Sequence, residues 1–343
     1  MIKKQLDKVP FSVLDLAAVL QDKTIKNTFN NSLDLALHAE QWGYERYWLA
    51  EHHNMETIAS AATSVLIGFI AGGTKKIRVG SGGIMLPNDS SLVIAEQFGT
   101  LESLYPGRID LGLGRAPGTD QLTAMALRRN RFSANDFPEQ VQELFTYFSA
   151  ANKTAHVRAI PGEGLDIPIW ILGSSTDSAY LAASLGLPYA FASHFAPTYL
   201  QQALNIYRVN FKPSVHLQQP YTMAAINVMA ADTNAEAAYI ATSFYQLATG
   251  IIRGTRRPMQ APVNSMQGLW SPAEEAAVKQ MMHYTFTGDA PTVKNQLQMF
   301  VNDTAIDEIM IVGHIYDHAA KLRSYELISD MTIEPVAQQT MVA

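Results

Sequence analysis

The stretch Asn31-Ser32-Leu33-Asp34-Leu35-Ala36-Leu37-His38-Ala39-Glu40-Gln41-Trp42-Gly43-Tyr44-Glu45-Arg46-Tyr47-Trp48-Leu49-Ala50 reads first as a helix and then as a strand. Leu33, Ala36 and Leu37 share one face at helical spacing, and Gly43 is placed to close the helix as a left-handed cap. Residues 44–50 follow as a short apolar, aromatic-rich run. The pattern repeats outward in both directions. Candidate strands cover residues 11–17, 44–50, 77–84, 108–112, 168–172, 189–192, 221–230 and 307–312. Helical patterns lie near 31–42, 57–71, 92–104, 134–148, 178–185, 198–211, 235–247 and 290–301.

Strands separated by helices imply parallel βαβ units. Eight of them predict an α/β fold, a (β/α)8 TIM barrel, with 1–343 as a single domain. Periodicity does not show closure, so a doubly wound sheet competes. An insertion at about 250–288, before the last strand, holds Thr255-Arg256-Arg257-Pro258 and Gly268-Leu269-Trp270-Ser271-Pro272, a loop followed by a short helix. Insertions after barrel strands lie at the C-terminal mouth, where ligands bind. Met266 and Trp270 are accordingly expected to line a pocket there, with a Trp that merely pins the loop as the alternative.

With 25 Lys and Arg against 31 Asp and Glu, the net charge is −6, which argues against nucleic acid or an anionic membrane as the main partner. No Cys is present, so disulfides, zinc–thiolate sites, iron–sulfur clusters and thiol nucleophiles are excluded. That composition fits a reducing compartment, and we expect a cytoplasmic protein. Lys3, Lys4 and Lys8 before an apolar run resemble a secretory leader, but Asp15 interrupts it and no small-x-small site precedes Gln21. We read a first strand there. No uninterrupted apolar stretch approaches the length of a membrane span.

Chemistry gathers at the strand ends. Ala50-Glu51-His52-His53-Asn54 ends the second strand. Adjacent strand residues face opposite sides and His-Glu-x-x-His spacing is missing, so a metal site is not expected. One buried and one capping histidine is the bland alternative. The third strand carries Gly80, Gly82 and Gly83, which either relieve crowding or let a flat ring lie on the backbone. Gly112-Leu113-Gly114-Arg115-Ala116-Pro117-Gly118 nearly matches a dinucleotide fingerprint, yet Pro117 takes the third glycine's place and the turn follows the fourth strand. Arg115 suits a phosphate instead. Gly173-Ser174-Ser175-Thr176-Asp177-Ser178 opens a helix, where N–H groups and hydroxyls favour an anion, although N-capping by Ser175 or Asp177 would leave the same trace. No Gly-x-Ser-x-Gly elbow occurs there. Ser193-His194-Phe195 adds polar groups after the sixth strand.

Glu51-His52-His53, Gly82 to Pro87, Pro106-Gly107-Arg108 with Gly112-x-Gly114-Arg115, and Gly173-Ser174-Ser175 occur in this order. Together they resemble the bacterial luciferase-like, flavin-dependent monooxygenase family. Segments 46–54, 80–87, 94–121 and 192–197 are most similar to its small-alkanal-monooxygenase-like branch. The resemblance covers about residues 10 to 330 and implies a barrel binding FMN at its mouth. It implies that His52 is the acid/base beside the flavin's reactive edge, with Glu51 orienting it. It places Gly82 and Gly83 at a non-proline cis peptide beneath the ring, and Gly114 and Arg115 at the cofactor, Arg115 on its phosphate. Ser174, Ser175 and Ser178 would complete the phosphate cradle.

The implied reaction is oxygenation of a small organic substrate (aldehyde, ketone or alkane-like) by O2 and reduced FMN, with the reduced flavin supplied by a separate reductase. A non-catalytic FMN-storage protein and a deazaflavin-dependent hydride-transfer enzyme of the same fold are the alternatives. Gly114 stands where luciferase has a cysteine and Ser174 where it has an acidic residue, which speaks against light emission. Asp89 and Ser91 replace the branch's expected His and Pro. Residues 57–71, almost uncharged and rich in small side chains, predict a homodimer through the helices after the second and third strands.

Overall fold

A computed structural model describes residues 4–115, 120–127 and 136–331. Ala116, Pro117 and Gly118 of the glycine-rich turn lie outside them. The strands are β1 (Phe11–Asp15), β2 (Arg46–Leu49), β3 (Arg78–Met85), β4 (Ile109–Gly114), β5 (Ile169–Gly173), β6 (Tyr189–Phe191), β7 (Thr222–Ala230), β8 (Thr285–Gly288) and β9 (Glu308–Val312). The helices are α1 (Ile25–Gln41), α2 (Thr63–Gly73), α3 (Ser91–Leu104), α4 (Gln121–Ala126), α5 (Phe137–Phe148), α6 (Asp177–Leu185), α7 (Leu200–Asn210), α8 (Asn234–Ile252), α9 (Pro272–Met281), α10 (Ala290–Thr304) and α11 (His318–Ser329).

Strands β1 to β7 pair successively in parallel, β7 pairs with β9, and β9 returns to β1. The sheet is therefore a closed eight-stranded (β/α)8 barrel, not a doubly wound sheet. Strand β8 is additional. The backbone edge of β7 that accepts from Tyr189 N–H through Tyr221 O donates further along to Tyr284 O through Asn227 N–H. Three-residue β6 runs out, and β8 takes over the free edge of β7. The sequence reading left this strand inside the insertion, because Thr285-Phe286-Thr287 is too short to show a period. It also left out α11. The helix start read at residue 57 moves to Thr63, because Thr57 O and Ala59 N–H pair with Val19 N–H and Ala17 O. Helix α1 begins at Ile25, six residues earlier than its apolar face suggests, through a capping box of Thr24 and Asn27.

Alternation sorts the side chains. Tyr47 and Leu49 of β2 pack outward against the helices, whereas Trp48 points inward with Leu14, Trp170, Met223 and Met310. Trp170 stands edge-on to both Trp48 and Tyr221, at 5.2 and 5.7 Å between ring centroids. Below these rings the strand starts carry charge. Arg46 Nη1 donates to Asp110 Oδ2 (2.9 Å) and its Nε to Glu308 Oε1 (3.0 Å), with its guanidinium 5.0 Å from the Trp170 ring centroid. Arg78 Nη2 donates to Asp110 Oδ1 at 2.6 Å, and Trp48 Nε1 to Asp110 Oδ2 at 3.1 Å. Ser12 and Tyr221 hydroxyls donate to Glu308. Asp110 and Glu308 are fully buried.

Removing one partner from a buried pair leaves an uncompensated charge and costs about 3–5 kcal/mol. Arg46→Met is expected to lose that much in urea unfolding at pH 8. Burial already holds the Glu308 carboxyl above its ordinary value, with Arg46 opposing. A group so raised contributes stability at low pH that fades as pH climbs through its folded value, so the deficit should shrink at pH 5. A loss of under about 1 kcal/mol at both values would show that the network is not a keystone.

Candidate active site

At the C-terminal end of the barrel the strand exits surround a cavity of about 720 Å3, within the range of about 300–1,000 Å3 usual for ligand pockets. Its walls come from Leu14 and Leu16 after β1, and from Ala50, Glu51, His52 and Met55 after β2. Gly82, Gly83 and Met85 of β3 line it, with Gly114 and Arg115 at the end of β4. Leu172, Gly173, Ser174, Ser175 and Ser178 contribute from β5 and the start of α6, and Ala192, His194 and Phe195 from beyond β6. All nine site residues expected from the sequence are thus brought to one cavity. Met266 and Trp270 are not. Met266 is buried elsewhere, and Trp270 packs on Tyr245 with ring centroids 5.7 Å apart. The 250–288 segment instead reaches the exit of β1, where Met259 exchanges backbone hydrogen bonds with Val19 and Gln21.

The Gly82–Gly83 peptide is cis, as the resemblance implied. A Cβ on Gly83 would fall 2.6 Å from Gly112 O and 2.5 Å from Leu172 Cδ1, so crowding between β3 and β4 demands glycine there. Both glycines nevertheless present backbone to the cavity. At the next corner, a Cβ on Gly173 would meet Ser178 Oγ at 1.7 Å. Glycine lets the Ser178 hydroxyl close onto Ser175 O (3.2 Å) and Tyr189 Oη (3.1 Å). Helix α6 is capped by neither Ser175 nor Asp177. Its N-cap is Thr176, with no side-chain capping bond, so this end offers an anion its positive dipole and uncapped N–H groups. Arg115 stands over it, Nη2 donating to Asp177 Oδ2 at 3.1 Å in an exposed pair that an incoming anion would share.

Glu51 does not orient His52. Its buried carboxylate accepts from Met85 N–H (2.8 Å), Asn88 Nδ2 (3.0 Å) and His53 Nε2 (2.9 Å). It therefore locks the loop after β3 to the loop after β2. His52 is held through its backbone, its N–H donating to Ser60 O at 2.9 Å, while Ser60 Oγ donates to Ala50 O. The hydrogen bond to Glu51 raises His53 above the ordinary imidazole value against opposing burial. Desolvation, then the Glu51 charge, lifts Asp89 to about 6. Two further histidines were not assigned a role from sequence. Burial pushes His194 down to about 3, the His314 and His52 imidazoles adding to it, and burial does the same to His314, whose ring stacks on Phe244 at 4.1 Å. A histidine just past a strand end was their only sequence signal. Among the described residues no group of three or more His, Cys, Asp or Glu side chains could hold a metal ion, and no helix is long and apolar enough to cross a membrane.

Fold and site together define a TIM barrel with a largely apolar mouth cavity and one corner where Arg115 meets the uncapped start of α6. The luciferase-like monooxygenase family model matches residues 9–330, and the chain belongs to that family. An uncharacterized protein of Bacillus subtilis (strain 168) is 59% identical over 93% of this chain and 96% of its own length. A luciferase-like monooxygenase of Escherichia coli (strain K12) is 54% identical over 95% and 98%. The solved structure of apo-MsnO8 superposes with a TM-score of 0.88 at 32% identity, covering 94% of this chain and 98% of that one. Two solved structures share the fold at lower identity. One is the oxygenating constituent of 3,6-diketocamphane monooxygenase from Pseudomonas putida in complex with FMN (TM-score 0.71, 18%, covering 94% and 97%). The other is an F420-dependent secondary alcohol dehydrogenase (TM-score 0.70, 13%, covering 95% and 100%). Family membership supports an oxidoreductase of the monooxygenase kind with a flavin-type cofactor.

The Glu51 arrangement has a direct check. Glu51→Gln removes the charge that lifts both His53 and Asp89, so both should titrate lower in the variant when followed by NMR. An unchanged His53 titration would mean that the Glu51 bond does not govern that loop.

Proposed function

We propose that this protein is an FMN-dependent monooxygenase that uses O2 to oxygenate a small organic substrate. The observation that carries the reading is the convergence of nine motif residues on one cavity with an apolar body and a cationic, uncapped-helix corner. Arg115, with Ser174, Ser175 and Ser178 at the start of α6, would hold the single phosphate of FMN. The isoalloxazine would lie over the Gly82–Gly83 backbone, with Gly114 at its edge. Reduced FMN, delivered by a separate flavin reductase, supplies the electrons that activate O2, so that one oxygen atom enters the substrate and the other leaves as water. Leu14, Leu16, Leu172 and Phe195 give that space its apolar lining. His52 gives or takes the proton at its ring, and Glu51 serves by fixing the loop around it rather than by touching it.

Two measurements test this. Arg115→Ala removes a charge-assisted partner worth about 1.5–3 kcal/mol, so FMN should bind roughly 10- to 150-fold more weakly while riboflavin is little affected. Equal loss for both ligands would assign Arg115 to the fold. Stopped-flow mixing of the reduced FMN complex with O2 should show a transient absorbing unlike reduced or oxidised FMN, its decay altered by His52→Ala. No transient would favour flavin storage, and preferential binding of a deazaflavin would favour hydride transfer. Without added reductase, rapid NADH or NADPH oxidation would overturn the two-component arrangement.

We also propose a homodimer through α2 and α3. Val65 and Phe69, one turn apart on α2, are exposed, as are Val93 and Leu104 of α3, and these apolar side chains are the ones a partner copy would cover. Sedimentation at micromolar concentration should give a dimer that Phe69→Glu dissociates; a wild-type monomer would refute it.

A further inference from the structure

Resting on that reading, we propose that His194 is the substrate-positioning residue of the cavity: its imidazole hydrogen-bonds the one polar atom, a carbonyl oxygen, of an otherwise apolar and uncharged organic substrate. His194 lines the cavity together with His52 and Phe195, yet only 8% of it is exposed. Its Nδ1 is buried, closed to solvent and without a hydrogen-bond partner, which leaves Nε2 as the nitrogen that a ligand in the cavity would meet. Buried polar atoms left unmet are costly and uncommon in native structures. The ring is therefore placed for a partner that the protein does not itself supply.

Its placement is built. Asn227 of β7 donates through Nδ2 to His194 O at 2.7 Å and to Thr285 Oγ1 of the extra strand β8 at 3.2 Å. The additional strand thus fixes the backbone that carries His194. Phe195 meets the imidazole edge-on, with centroids 4.9 Å apart. Burial, with His314 and His52 as ionisable neighbours, keeps the ring uncharged at neutral pH, so it offers one N–H and one lone pair and no charge. Among the described lining residues the one cationic side chain, Arg115, is assigned to the phosphate corner, so none of them offers a carboxylate a cation beside His194. A carbonyl flanked by alkyl groups matches both the N–H and the apolar lining of Leu14, Leu16, Leu172 and Ala192.

The test compares 2-hexanone with 2-methyl-1-hexene, equal in shape but differing in C=O against C=CH2, by saturation-transfer NMR competition on the protein with and without FMN. FMN affinity is measured separately by fluorescence, so failure of the flavin reading shows as absent FMN binding whatever the probes do. The wild type should prefer the ketone about fivefold, the worth of one net hydrogen bond. The ketone, not the alkene, should also shift the His194 ring nitrogens in histidine-labelled protein. His194→Phe should abolish the preference with FMN affinity intact, and His194→Asn should restore part of it. Absence of a ketone preference in the wild type, its survival in His194→Phe, or loss of FMN binding in that variant would overturn the proposal.

Discussion

Two buried carboxylates beneath the barrel, shared by one arginine, are the constraint on which the rest of the structure depends. Asp110 sits in β4 and Glu308 opens β9, on opposite sides of the strand circle. Arg46 of β2 reaches both, while Arg78, Trp48, Ser12 and Tyr221 fill the remaining acceptor positions. Neither carboxylate is affordable alone in that interior. The strand starts are therefore tied around one hub, and closure of the barrel is enforced at its lower end.

Because order is set below, the upper end can be built from weak strand material. Gly80, Gly82 and Gly83 in β3 would ordinarily loosen a strand. Here β3 runs from Arg78, whose guanidinium grips Asp110, up to Met85, whose N–H is held by Glu51. The glycine run is pinned at both ends. Its register with β4 shifts between Gly82 and Ile84, where backbone meets the cavity. The polar loops after β2 and β3 are then cross-linked by Glu51, so the site is rigid where its own sequence is least so.

The sequence shows the elements and hides the partnerships. Apolar runs separated by helical faces locate all eight barrel strands, since burial on both sides of a parallel sheet leaves a continuous apolar signal. The nine site residues were legible because each stands at a strand exit in a recognisable motif. Strand β8 was not, because three of its four residues are only half-buried and it borrows its structure from the spare edge of β7. Arg46, Asp110 and Glu308 were invisible as a set, being 64 and 262 residues apart. Glu51 was assigned to the wrong histidine for a related reason. Adjacency suggested His52, but alternation along an extended chain turns neighbours apart and brings His53, two residues on, to the same side.

Charge is divided along the barrel axis. Buried ion pairs tie the strand starts at the lower end, whereas the described lining of the upper cavity holds one cation, Arg115, one carboxylate, Glu51, engaged by its own loops, and an uncharged imidazole, His194. A largely apolar chamber strengthens whatever polar contact is made within it. Strand β8 belongs to this division. By continuing the edge of β7 past the end of β6, it holds Asn227 under the His194 carbonyl and gives the polar wall a rigid backing that the eight-stranded barrel alone would lack.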